Sequence, residues 1–110
     1  MITHDMPNML YRINNSTMDS VNLDHVRSHL KQFQINRIKE VLDQKGVSQA
    51  WVARRMSKTC NTLNGWCANK CQPHLVDLFI LAALLDCHIR DLISEDDPRQ
   101  VIKAGQIGNA

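Results

Sequence analysis

Cys60, Cys67 and Cys71, followed closely by His74, bring four soft donors into one short stretch of the chain. Zinc is the chemistry such a set suggests, since thiolates and an imidazole suit a tetrahedral site. Cys60 lies seven positions before Cys67, and Cys71 lies four after it, so one unbroken helix would align all three. Two features argue against a metal. The sequence holds no CxxC pair, and its apolar rhythm predicts a helix ending near Ala68, before Cys71. Small, part-buried cysteines are the better reading, with no metal and no cofactor.

The same stretch holds a second kind of chemistry. Ser57, Lys58, Thr59, Cys60, Asn61 and Thr62 interrupt an apolar pattern that resumes at Leu63 and Trp66. Asn61 and Asn64 carry amides able to pair bidentately with an adenine edge, and a threonine methyl can contact thymine. A helix that leads with such groups and buries Leu63 and Trp66 behind them fits a DNA major groove. Its exposed first N–H groups favour phosphate. A merely solvated polar face is the competing explanation of the pattern.

Those side chains need elements to hold them. Ile35, Ile38, Val41 and Leu42 form one helical stripe, and Gly46 sits where a left-handed C-cap is wanted. Ser48 is an N-cap for the next helix, with Val47 placed to staple against Val52. That short helix buries Val52, Ala53 and Met56, and the small Ala53 allows another helix to cross closely. Thr59 caps the following helix, and Asn69 can take the left-handed conformation that ends it. Two short helices joined by a tight turn make a helix-turn-helix. Pro73 suits the opening of a further helix, with Leu75, Leu78, Phe79, Leu81, Ala82 and Leu85 as its apolar face. After a turn at Asp86-Cys87-His88, a short fifth helix contributes Ile89, Leu92 and Ile93.

The totals agree with a small helical protein. The chain has 110 residues, 44% of them hydrophobic, with four glycines and three prolines. One domain with tails is the expectation. Residues 1–34 read as an N-terminal arm, flexible over 1–20, in which Leu23, Val26, Leu30 and Phe33 allow one extra helix. Residues 35–94 form the domain, and residues 95–110 a flexible C-terminal tail. No apolar run is long enough for a membrane span, and the start lacks a basic-then-apolar leader, so a cytoplasmic protein is expected. The net charge of +2 conceals a polarity: residues 37–70 carry seven basic side chains against two acidic ones, and residues 71–97 one basic against six acidic. Such asymmetry fits a protein that turns one face to a polyanion.

The stretch SQAWVARRMSKTCNTLNGWCANKCQPHLVDLFILAALLDCHIRDLI resembles the lambda-repressor/Cro-like, or XRE-type, helix-turn-helix family. The likeness runs from about Asn36 to Ile93. It includes Ser48-Gln49 opening the second helix, Ala53 at the crossing, Thr59 at the cap, Leu63 and Trp66 inside, and ANKCQP before the fourth helix. Leu75, Leu78, Ala82, Leu85 and Leu92 fall at the family's core positions. The resemblance implies an all-α, five-helix lambda-repressor-like DNA-binding domain with an N-terminal extension. It implies base contacts by Cys60, Asn61, Asn64 and Gly65, and phosphate contacts by Gln49, Lys58, Thr59 and Lys70. Ser57 and Asn69 stand where the family usually has glycine, and Gly65 is unusual inside a helix.

The function expected is a sequence-specific DNA-binding transcriptional regulator reading the major groove of double-stranded DNA, with a homodimer as a candidate assembly. No phosphate loop, HExxH or supported Ser/His/Asp set points to an enzyme. The alternative is a protein-interaction module, such as an antitoxin subunit or a phage-type accessory factor.

Overall fold

The computed structural model describes residues 22–108, with side chains described as far as Lys103. Residues 1–21, most of the expected arm, lie outside the described residues. Among the described residues there are six α-helices and one 3-10 turn: α1 (Leu23–Lys31), α2 (Ile38–Lys45), α3 (Gln49–Met56), α4 (Cys60–Cys67), α5 (Leu75–Leu84), the 3-10 turn Ile89–Leu92, and α6 (Pro98–Gly108). The fold is all-α, as expected. Residues 31–95 make one compact unit, and the segments up to Leu30 and from Asp96 group as another.

In the segments flanking the main unit, α1 follows Asn22, whose Oδ1 accepts from His25 N. Val26 is buried, whereas Leu23 is 48% exposed. The C-terminal stretch expected to be a flexible tail is helical from Pro98. Proline's fixed φ suits the first helical turn, and Asp97 Oδ1 accepts from Arg99 N just after it.

The main unit is built on its caps. Gly46 ends α2 in the left-handed region (φ 68°), and Ser48 Oγ accepts from Trp51 N to open α3. Each such cap contributes about 1 kcal/mol by satisfying an N–H or C=O that the helix leaves open. α2 begins at Ile38, three residues later than the apolar stripe implied, because Asn36 is recruited into a different contact. Asn36 and Ile93 form an antiparallel bridge, flanked by Arg37 N donating to Leu92 O and Ser94 N donating to Ile35 O. These bonds close the unit's two ends on each other. Beside them Arg37 ion-pairs with Glu40 and Glu95, and the guanidinium holds the Glu40 carboxyl below its ordinary value.

The core joins Ile38, Val41 and Leu42 of α2 to Val52 and Ala53 of α3, Leu63 and Trp66 of α4, Leu78, Leu81 and Ala82 of α5, then Leu85 and Leu92. Ile38, Val52, Leu63, Leu81 and Leu92 have no exposed surface, and burying each such side chain stabilises by about 1.5–3 kcal/mol. Two positions expected inside are outside: Leu75 is 68% and Phe79 63% exposed. α5 is apolar nearly all round, so its pattern did not specify which side would be buried. Ile93, also expected to close the core, is 36% exposed and serves the bridge to Asn36 instead.

Candidate nucleic-acid interface

The turn between α3 and α4 is made by a residue ill suited to it. Ser57 adopts φ 56°, ψ 42°, and its N–H and that of Lys58 close the end of α3 on Arg54 O and Ala53 O. The left-handed region strains any residue with a Cβ, which is why glycine is usual there. The backbone then straightens at Thr59, whose Oγ1 accepts from Thr62 N at 3.1 Å and shares a hydrogen bond with Thr62 Oγ1 at 3.0 Å. Thr59 is therefore the N-cap of α4.

Seen down its axis, α4 divides cleanly at about 100° per residue. Leu63, Trp66 and Cys67 face the core, while Cys60, Asn61, Asn64 and Ala68 share one exposed face. The helix carries no charged side chain. Among the described residues, no hydrogen bond occupies the Asn61 or Asn64 amide. The face thus presents free donors and acceptors on a helix anchored by Leu63 and Trp66 behind it.

Cations flank this neutral face unevenly. Lys70, just beyond α4, is exposed, and its backbone N–H donates to Gly65 O at 2.9 Å. Lys58 is exposed too, but its Nζ lies 3.3 Å from Asp77 Oδ2 on the first turn of α5. Arg54 and Arg55 are exposed on the last turn of α3, with the Arg55 guanidinium 4.8 Å from the Trp51 ring centroid. Gln49 is half-buried at the first position of α3.

Gly65, which the resemblance placed among the base contacts, has a packing neighbour of its own. It is half-buried, and a Cβ built on it would meet Cys71 Sγ at 2.8 Å. Its O also receives the N–H groups of Lys70 and Cys71. A side chain at this position would have to displace the Cys71 thiol, so the small residue makes room for it.

Asn69 (φ 58°) ends α4 as expected, but its side chain was not read from the sequence. Its Oδ1 accepts from Asn36 N, its Nδ2 donates to Asn36 O, and Gln72 Nε2 donates to the same Oδ1. Asn36 Nδ2 in turn donates to Trp66 O and Gln72 Oε1, and Asn36 Oδ1 accepts from Ile38 N. This largely buried network ties the end of α4 to the start of α2, fixing where the exposed face of α4 sits. Asp77 was likewise missed as an anchor, although it is the single charge in the α5 sequence LVDLFILAAL.

The thiols do not gather. Cys60 and Cys71 are exposed, Cys67 is buried and Cys87 lies between, and all four are free. Burial pushes the Cys67 thiol above its ordinary value. Among the described residues no group of three or more potential metal ligands is assembled. No described helix is long and apolar enough to cross a membrane.

Fold and site together define a small all-α domain of the helix-turn-helix class. No family model matches the chain, and no curated protein does. Among solved structures, it is similar to the crystal structure of a "putative DNA-binding protein from Bacteroides fragilis" at 45% identity and a TM-score of 0.54. The match covers 55% of this chain and 97% of that one. At that identity over nearly the whole of its relative, the chain belongs to the same family as that protein.

Proposed function

We propose that this protein is a sequence-specific, DNA-binding transcriptional regulator of the XRE type that works in the cytoplasm. The observation that carries the reading is the exposed face of α4: two unoccupied amides on a core-anchored helix, with cationic side chains to either side. The name of the Bacteroides fragilis relative supports DNA as the partner.

In this reading α4 enters the major groove, where Asn61 and Asn64 contact base edges and Cys60 packs beside them. Lys70, Gln49 and the α4 N-terminus at Thr59 hold phosphates. Lys58 joins them only by sharing its charge with Asp77, and Gly65 drops out of the contact set. A single helix of this size makes few base contacts, each worth about 1–3 kcal/mol, against the roughly 4–10 kcal/mol that separates specific from random sites. Two copies on an inverted repeat would supply the difference.

The test is to select bound duplexes from a random pool using full-length protein, then compare variants on the selected and scrambled sites. Asn61→Ala should cost about 1–3 kcal/mol on the selected site and little on scrambled DNA. Lys70→Ala should weaken binding to both and reduce the salt slope by about one unit. Failure to enrich any sequence, or equal losses for Asn61→Ala on both duplexes, overturns the reading.

A further inference from the structure

The exposed face of α4 lacks the side chains that read guanine or cytosine. Guanine presents two acceptors, O6 and N7, to the major groove, and a lysine or arginine supplies the donors that match them. Cytosine presents a donor, which a carboxylate accepts. α4 carries no charged residue, and the cations nearest to it in sequence stand off the helix. Lys58 Nζ lies 3.3 Å from Asp77 Oδ2, and Lys70 comes after the last turn. Arg54 and Arg55 belong to α3, where the Arg55 guanidinium lies 4.8 Å from the Trp51 ring centroid.

We infer, on the DNA-binding reading above, that α4 recognises adenine–thymine base pairs, with Asn61 and Asn64 each pairing to an adenine. A primary amide offers a donor and an acceptor side by side. Adenine alone presents the complement along its major-groove edge, N7 as acceptor and the N6 amino group as donor. Against guanine the amide oxygen would face O6 with no proton between them, so one bond of the two is lost. Among the described residues, none exchanges a hydrogen bond with either amide, and both side chains are exposed.

The rest of the face agrees. Three residues of α-helix rise about 4.5 Å against about 3.4 Å per base pair, so the two amides meet different base pairs. Cys60 and Ala68 lie one turn to either side of Asn64, and both are exposed. Each is small and nearly apolar, which suits contact with the C5-methyl group of thymine. The hydroxyl of Thr62, the remaining polar group of the helix's first turn, is shared with Thr59 Oγ1. Two amides flanked by two small apolar groups complement a short run of adenine and thymine. No side chain on the face can bind guanine through two bonds of matched polarity.

The test starts from duplexes that full-length protein selects out of a random pool. The selected site is then remade one position at a time, with guanine–cytosine for adenine–thymine, or with 7-deazaadenine, which lacks the N7 acceptor. Replacing either of two adenine–thymine pairs by guanine–cytosine should weaken binding about 5- to 150-fold, and removing N7 alone should weaken it several-fold. Asn61→Ala should erase the loss at one of these pairs and Asn64→Ala at the other. Guanine–cytosine pairs enriched at the positions the two variants affect would overturn the assignment while DNA reading by α4 stands. So would selected adenine–thymine pairs that are indifferent to 7-deazaadenine and to both variants, since groove shape would then be read instead. If no sequence is enriched, the DNA-binding reading fails and the base assignment falls with it.

Discussion

The Asn69 side chain pairs with the backbone of Asn36, thirty-three residues away, as a neighbouring strand would. Oδ1 accepts from Asn36 N at 2.9 Å, and Nδ2 donates to Asn36 O at 3.1 Å. Both residues are buried, so neither backbone group has water to fall back on. Asn69 also sits at φ 58°, where glycine would be less strained. The two effects oppose each other, and their magnitudes decide the outcome. A buried group left without a partner costs about 1–3 kcal/mol, while relief of left-handed strain returns about 1 kcal/mol. Two such groups, Asn36 N and Asn36 O, lose their partner together, at about 2–6 kcal/mol. Asn69→Gly should therefore destabilise by about 1–5 kcal/mol in urea denaturation, and Asn69→Ala by about 1 kcal/mol more. A stabilised Asn69→Gly would mean the pairing contributes nothing net.

Ser57 presents the opposite balance. It shares the left-handed backbone but is exposed, and its side chain is not what caps α3. Ser57→Gly should raise stability by about 0.5–1 kcal/mol, the strain relieved less the extra freedom glycine gains when unfolded. Thermal melting would show the gain as a higher midpoint. A lower midpoint would assign the serine hydroxyl a structural bond of its own.

The ion pair between Lys58 and Asp77 restrains a cation beside α4. Asp77→Asn keeps the size and removes the charge, freeing Lys58 to reach a phosphate. Binding to any duplex should tighten, and the slope of log affinity against log salt should steepen by about one unit. Lys58→Ala in the Asp77→Asn background should remove that increment. If the slope does not move in Asp77→Asn, the Lys58 side chain lies away from the DNA backbone.

The thiols should react in the order of their exposure. Ellman's reagent should modify Cys60 and Cys71 rapidly in the folded protein. Cys67 is buried, and its thiol is held in the neutral form by desolvation, so it should react only as fast as the domain opens. Cys87, raised for the same reason but half-buried, should fall between. Joint protection of Cys67 and Cys71, lifted by a chelator, would indicate a shared metal instead.

Much of this protein is local and therefore legible along the chain. Gly46, Ser48 and Thr59 act on backbone groups within a few residues, so their types and positions were enough to place the helix ends. The exposed face of α4 was legible for a related reason: Leu63 and Trp66 are its large apolar side chains, and only one orientation buries both. The resemblance, rather than the polar pattern, placed the strained turn at Ser57, where the family usually has glycine. The partnership of Asn36 with Asn69 depends on two loops meeting across the core, and nothing in either loop's own sequence requires it. Gly65 reads as a helix defect until Cys71 folds back beside it. The side of α5 that enters the core was equally undecided. Its residues are apolar in almost every direction, so the hydrophobic effect rewards burying any of them. Only packing against α3 and the 3-10 turn selected Leu78, Leu81 and Ala82 and left Leu75, Val76, Phe79 and Ile80 facing out.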